Sequence, residues 1–196
     1  AHAWSANALG DDTAAREGRL TLDPLAHIDP VGTFFLPLLG VPFGWAKPVP
    51  IDPGRFRGGT DAGIALTALA GPLSNLVLAL CAVVVVVALG VLGMADTGVG
   101  SPVHRLLETT LIINVLLACF NLLPIPPLDG GRVVDGLLPD RLRGPWDAFT
   151  SVSPVALGAV IVLPLLLGAS PLAAPVELAR ALFESAVALS GAAPAP

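Results

Sequence analysis

Residues Asn121 to Gly131 read NLLPIPPLDGG and follow directly on an apolar run that starts at Thr109. No charge falls between Thr109 and Leu128, a length that meets the roughly 20 residues needed to cross a bilayer as a helix. Asp129 therefore stands at the end of a membrane-crossing segment. A carboxylate at that depth is costly without a cation or a set of donors, so it marks a functional site. An aspartate before Gly-Gly also makes a good helix N-cap, and a cap does not exclude ligation.

The same pattern recurs on either side. Ala62 to Ala95 and Ala148 to Val176 are also free of charge. The chain is 54% hydrophobic and only 13% charged, with mean hydropathy +0.80, against about 25% charged in soluble domains. These values define an all-α polytopic membrane protein whose surroundings are the lipid bilayer. No basic patch is dense enough to follow phosphates, so nucleic acid is excluded as a partner. Cys81 and Cys119 lie inside apolar runs and suit small core residues rather than a disulfide or a zinc knuckle.

The opening AHAWSANALG reads as the last turns of a helix closed by Gly10. Asp11 to Pro30 is a polar connection. Val31 to Gly40 is apolar but short and carries Pro37, as a re-entrant or interfacial segment does. The following PFGWAKPVPIDPGRFRGG suits a short hairpin at the interface, anchored by Trp45. Spans are expected from Ala62 to Met94, interrupted near Gly71-Pro72, from about Val103 to Leu123, and from Ala148 to about Gly168. A short helix follows Asp129 as far as Leu138, and Asp140 to Asp147 reads as a polar loop. Residues 1–138 form the core unit and 139–190 the C-terminal helices, the last of them (171–190) either spanning or lying on the surface. Residues 191–196 form a disordered tail. The first residue is Ala rather than Met, and the chain is read as a trimmed or partial one.

Charge asymmetry sets the topology. If Val31 to Gly40 dips in and returns, Arg16, Arg19, Lys47, Arg55, Arg57, Arg132, Arg141 and Arg143 share one face, with Arg105 opposite. By the positive-inside rule the crowded face is cytoplasmic. This arrangement also brings His2 and Asp129 to the same depth, whereas a crossing segment would separate them.

Zinc accepts imidazole nitrogen and carboxylate oxygen, and a catalytic site uses three protein ligands. On its own His2 reads better as a satisfied core histidine than as a ligand. Paired with Asp129 it forms part of a metal site. The proline-rich run with Pro124 and Pro126 leaves carbonyls unpaired, which a wet cavity tolerates and an extended substrate strand can use. Asn75, Asn114 and Ser74 suit hydrogen bonds between helices, and Gly71 and Gly90 suit close helix approach. His27 and Asp29 suit structural hydrogen bonds, His104 an interfacial place, and Trp4, Trp45 and Trp146 interface anchoring.

Five strings in order resemble the site-2 protease family, the intramembrane zinc metalloproteases of the M50 class, in its compact bacterial form without a PDZ domain. They are AHAW, GRLTLDPLAHIDPVGT (Gly18 to Thr33), PFGWAKPVP (Pro42 to Pro50), LAGPLSN (Leu69 to Asn75) and NLLPIPPLDGG. The resemblance runs from the first residue to about Leu138. It implies a zinc-dependent helical core in a bacterial cell membrane that cuts transmembrane protein substrates, with its site toward the cytoplasm. Residue by residue, His2 matches the second histidine of HExxH and Asp129 the third zinc ligand. Asn121 matches an asparagine that holds substrate backbone or an oxyanion. The first histidine and the glutamate of HExxH would precede Ala1, so these 196 residues are expected to be inactive alone. The competing readings are a non-catalytic scaffold that binds transmembrane partners and a transporter. The transporter predicts inverted repeats, and the sequence has none.

Overall fold

A computed structural model describes residues 1–35, 38–39, 46–93, 101–168 and 172–190. Among them every regular element is helical. A short helix α1 (His2–Ala8) is followed by a single turn, α2 (Thr13–Arg16). Four longer helices, α3 (Thr60–Val91), α4 (Pro102–Asn121), α6 (Asp140–Leu167) and α7 (Ala173–Leu189), make up most of the rest, with the short α5 (Asp129–Leu137) between α4 and α6. Thr60–Val91, Pro102–Asn121 and Asp140–Pro164 are long and apolar enough to cross a membrane.

Helix α3 is the spine. Its 32 residues extend about 48 Å at 1.5 Å per residue, well beyond a hydrocarbon layer of about 30 Å. The interruption expected at Gly71-Pro72 does not occur, since α3 runs unbroken through a buried Pro72. Proline costs a helix interior about 3 kcal/mol, and the long apolar runs on both sides outweigh that local loss. Helix α4 starts where Ser101 accepts a hydrogen bond from the His104 N–H at 3.1 Å and Pro102 fills the first turn, the preferred chemistry for a helix start.

The core is built from small residues. Ala79, Ala82 and Val86 of α3, Leu111 and Val115 of α4, and Ala179, Phe183, Ala186 and Val187 of α7 form one buried cluster. Small side chains let backbones approach where lipid offers no hydrophobic drive between helices. Leu76, Leu80, Val84 and Val91 of α3 face outward. A solvent-facing stripe of that kind would be an aggregation site in water, and it is the ordinary outer face of a helix in lipid.

Three further sequence expectations change. Asp140 to Asp147 is not a loop, because α6 already begins at Asp140. Asp140 in the first turn complements the helix dipole, and Arg143 bonds it at 3.3 Å. His104 is buried rather than interfacial, edge-on to Phe183 at 4.9 Å. No strand occurs in 46–59, where the one regular element is the short turn Pro53–Arg55. Val31–Phe35 forms a single π-type turn. Pro37, Gly40, Pro42, Trp45 and the tail 191–196 lie outside the described residues.

Polar ties hold the α1 end of the molecule. Asp11 is buried and accepts from Thr13 Oγ1 at 2.5 Å, the Thr13 N–H at 3.0 Å and the Asp52 N–H at 2.7 Å. Burial alone would push its carboxyl up, but these donors, with Arg55, hold it below the ordinary carboxylate value. Arg55 also pairs with Asp12 at 2.9 Å and Asp52 at 3.1 Å.

Candidate metal centre

The glycines after Asp129 explain why the helix starts where it does. A side chain at Gly130 would strike the Leu122 and Leu123 carbonyls, and one at Gly131 the Pro126 ring. At Gly136 it would strike the Asp61 carbonyl of α3. Bare backbone therefore lets α5 lie against both the proline-rich turn and α3. The turn is tight rather than extended, with Ile125 N–H donating to Leu123 O at 2.8 Å and Leu128 N–H to Ile125 O at 2.9 Å. Asp129 heads α5, yet its side chain caps nothing.

That free carboxylate points at His2. Asp129 Oδ2 lies 3.4 Å from His2 Nε2, and only 15% of the Asp129 side chain is exposed. His2 Nδ1 is 2.8 Å from the Thr67 carbonyl, which can only accept. Nδ1 thus carries a proton, which leaves Nε2, facing the carboxylate, as the nitrogen available to a metal. A backbone carbonyl on the distal nitrogen is the usual support for a metal-binding imidazole.

The third wall is an absence of side chain. A Cβ on Gly71 of α3 would fall 2.5 Å from His2 Nε2 and 2.8 Å from Asp129 Oδ2. A side chain there would overlap both donors, so bare backbone at Gly71 is what lets the pair lie against α3. Two donors on one tetrahedral zinc stand about 3.3–3.5 Å apart, given bonds of about 2.0–2.2 Å. One imidazole nitrogen and one carboxylate oxygen at that separation, seated on bare glycine backbone, fit a borderline-soft cation such as zinc. Among the described residues no third histidine, cysteine or carboxylate joins them.

The other sequence candidates lie nearby or elsewhere. Asn121 Nδ2 donates to the Leu117 carbonyl of its own helix at 2.9 Å. Pro124 is exposed, and Pro126 is half-buried beside Gly131. His27 bonds the Thr21 carbonyl, and Asp29 caps the turn at Val31 and Gly32. These are the structural hydrogen bonds expected of His27 and Asp29 from the sequence. Thr67 and Gly71, which hold His2 and seat the pair, were not singled out together by sequence. Their i, i+4 spacing on one face of α3 was the available signal.

A groove of about 1300 Å³ reaches His2 between α1, the Arg19–His27 loop and the Leu66–Leu78 face of α3. Asp129, Asn121, Pro124 and Pro126 are not among its lining residues.

Among the described residues, three helices of membrane length and a His–Asp donor pair seated on bare glycine backbone define a membrane protein with a candidate metal centre. The sequence profile of peptidase family M50 matches residues 44–165. The chain belongs to peptidase family M50, and that membership implies a metallopeptidase. It is 38% identical over 166 residues to "Putative zinc metalloprotease YwhC" of Bacillus subtilis (strain 168), covering 84% of this chain and 74% of that protein. It is 31% identical over 156 residues to "Putative zinc metalloprotease Rip2" of Mycolicibacterium smegmatis, covering 72% of this chain and 53% of that protein. The chain thus spans about three-quarters of the first relative and about half of the second. No solved structure matches it.

Proposed function

We propose that the intact protein is an intramembrane zinc endopeptidase that cuts transmembrane substrates from the cytoplasmic side. The observation that carries this reading is the 3.4 Å His2–Asp129 pair, shielded and bordered by Gly71. When bound, zinc supplies Lewis-acid polarisation of a scissile carbonyl and makes water nucleophilic at neutral pH. His2 holds the metal through Nε2, with the Thr67 carbonyl fixing its tautomer. Asp129 supplies the compensating negative charge, which it does not spend on capping its own helix. Asn121 at the end of α4, and Pro124 and Pro126 on the turn between α4 and α5, lie in the same stretch as Asp129 and are assigned to hold substrate backbone. Val31 to Gly40 is assigned to re-enter and return, which keeps the basic residues on one face.

Two ligands are fewer than the three of a catalytic site. The 196 residues alone are therefore expected to bind zinc weakly and to cut nothing.

Asp129→Asn in the intact protein tests the assignment. A neutral amide is a far poorer zinc ligand than a carboxylate, so zinc content should fall below half and cleavage should drop at least about a hundredfold. Asn121→Ala should keep its zinc while slowing cleavage. Metal analysis beside cleavage of a transmembrane model substrate reads both. Normal zinc and rate in Asp129→Asn would end the proposal, and zinc binding without any cleavage by the wild type would favour a non-catalytic scaffold.

A further inference from the structure

We propose that Arg19 is a positioning residue for substrate, clamping the Leu20–His27 loop to the Lys47–Val49 stretch so that together they form one wall of the groove that reaches His2. The inference rests on the peptidase reading and adds to it the residue that shapes the substrate's path.

Arg19 is only 5% exposed, and among the described residues no carboxylate pairs with it. Its partners are neutral carbonyls from two separate segments. One terminal nitrogen donates to the Ala26 carbonyl, and the other to Lys47 O at 2.7 Å and Pro48 O at 3.2 Å. Nε is buried with no partner. A buried charge without a counter-ion is costly, so plain loop closure is a poor explanation for this residue. What a guanidinium offers is a rigid planar fork whose separate nitrogens reach different acceptors, which a lysine ammonium cannot reproduce.

The segments it joins have little else to fix them. One further backbone hydrogen bond links them, Lys47 N–H to His27 O at 3.0 Å. Pro48 and Pro50 have no N–H, so the stretch cannot knit itself into a ladder. Leu22 and Leu25 of the loop are almost wholly exposed, so no core holds it from beneath. Yet Leu20, Leu22, His27 and Val49 line the same groove as His2, opposite Leu73 and Val77 of α3. The groove carries no acidic residue and is mostly apolar, the lining expected for an apolar peptide segment. Its width on this side is set by where Arg19 draws the two segments together.

The test uses the zinc-loaded intact protein and a transmembrane model substrate, comparing Arg19→Lys and Arg19→Gln with wild type. Arg55→Ala, which breaks the Asp12 and Asp52 pairs outside the groove, is the control. Both Arg19 variants should raise KM about tenfold with kcat and zinc content little changed, because the loss is in binding rather than chemistry. Hydrogen exchange at the Lys47 amide should accelerate in both, a readout independent of activity. Joining Cys residues at Ala26 and Lys47 with a short thiol cross-linker in the Arg19→Gln protein should restore KM. An unchanged KM with faster Lys47 exchange would overturn the substrate role. Unchanged exchange would overturn the clamp itself. Zinc loss with a fall in kcat would reassign Arg19 to support of the metal pair. A wild type that binds zinc but cuts nothing would remove the peptidase reading, and the substrate role with it, while exchange still decided the clamp.

Discussion

Helices α3 and α6 are both long, apolar and proline-containing, but their glycines meet different surroundings. In α3, a Cβ at Gly63 would strike the Phe56 ring, at Gly71 the His2–Asp129 pair, and at Gly90 the Ser190 side chain. In α6, a Cβ at Gly144 or Gly158 would meet nothing within 4 Å. Two helices that both qualify as membrane spans by length and composition therefore do different work. Helix α3 carries α1, α4, α5 and α7 on its faces. Helix α6 meets the rest mainly through Arg143, which pairs with Asp61 at 2.9 Å and Asp135 at 3.9 Å.

Glycine-to-alanine substitutions turn that contrast into a graded series. The largest effect is expected at Gly71→Ala, whose methyl takes the space beside both donors. Zinc content should fall to near that of Asp129→Asn, with the helix content by circular dichroism unchanged. A Gly71→Ala protein that keeps its zinc would place the metal somewhere other than at this pair.

Gly63→Ala and Gly90→Ala come next. Each forces a buried neighbour aside, Phe56 in one case and the end of α7 in the other, at a cost of about 1–3 kcal/mol typical of overpacking. Thermal unfolding in detergent should report the loss, with zinc retained in whatever remains folded. Equal stability to wild type in both would mean that α3 is not the packed spine described here.

The smallest effects belong to Gly144→Ala and Gly158→Ala. Open space and a better helix former predict unchanged or slightly higher stability, by at most about 1 kcal/mol, and normal zinc. Marked destabilisation at either would reveal a packing partner for α6.

Much of this contrast was beyond reach of the sequence, for a physical reason. Hydropathy reports how apolar a segment is, not which of its faces another helix covers, and both segments pass as spans. The spans themselves were legible, because charge-free runs of bilayer length have few other uses. Asp129 stood out for the same reason, as a single acid closing such a run. Its capping role was a fair alternative from Asp-Gly-Gly and failed because Leu128, not Asp129, is the N-cap. Gly71-Pro72 was read as a break and Asp140 to Asp147 as a loop, yet both lie inside continuous helices, where local penalties lose to long runs of favourable residues. The burial of His104 depended on Phe183, far away in sequence. Arg19 was read only as a topogenic charge, since nothing local reveals that its partners are carbonyls of distant loops.

The central claim is that His2 and Asp129 share one zinc. Zinc K-edge X-ray absorption on the purified intact protein tests it most directly. The wild type should show a nitrogen/oxygen shell at about 2.0–2.2 Å with imidazole scattering. His2→Ala should lose part of the imidazole signal, and Asp129→Asn should lose an oxygen from the shell or lose the metal. An identical zinc shell in wild type and both variants would show that the metal is held elsewhere.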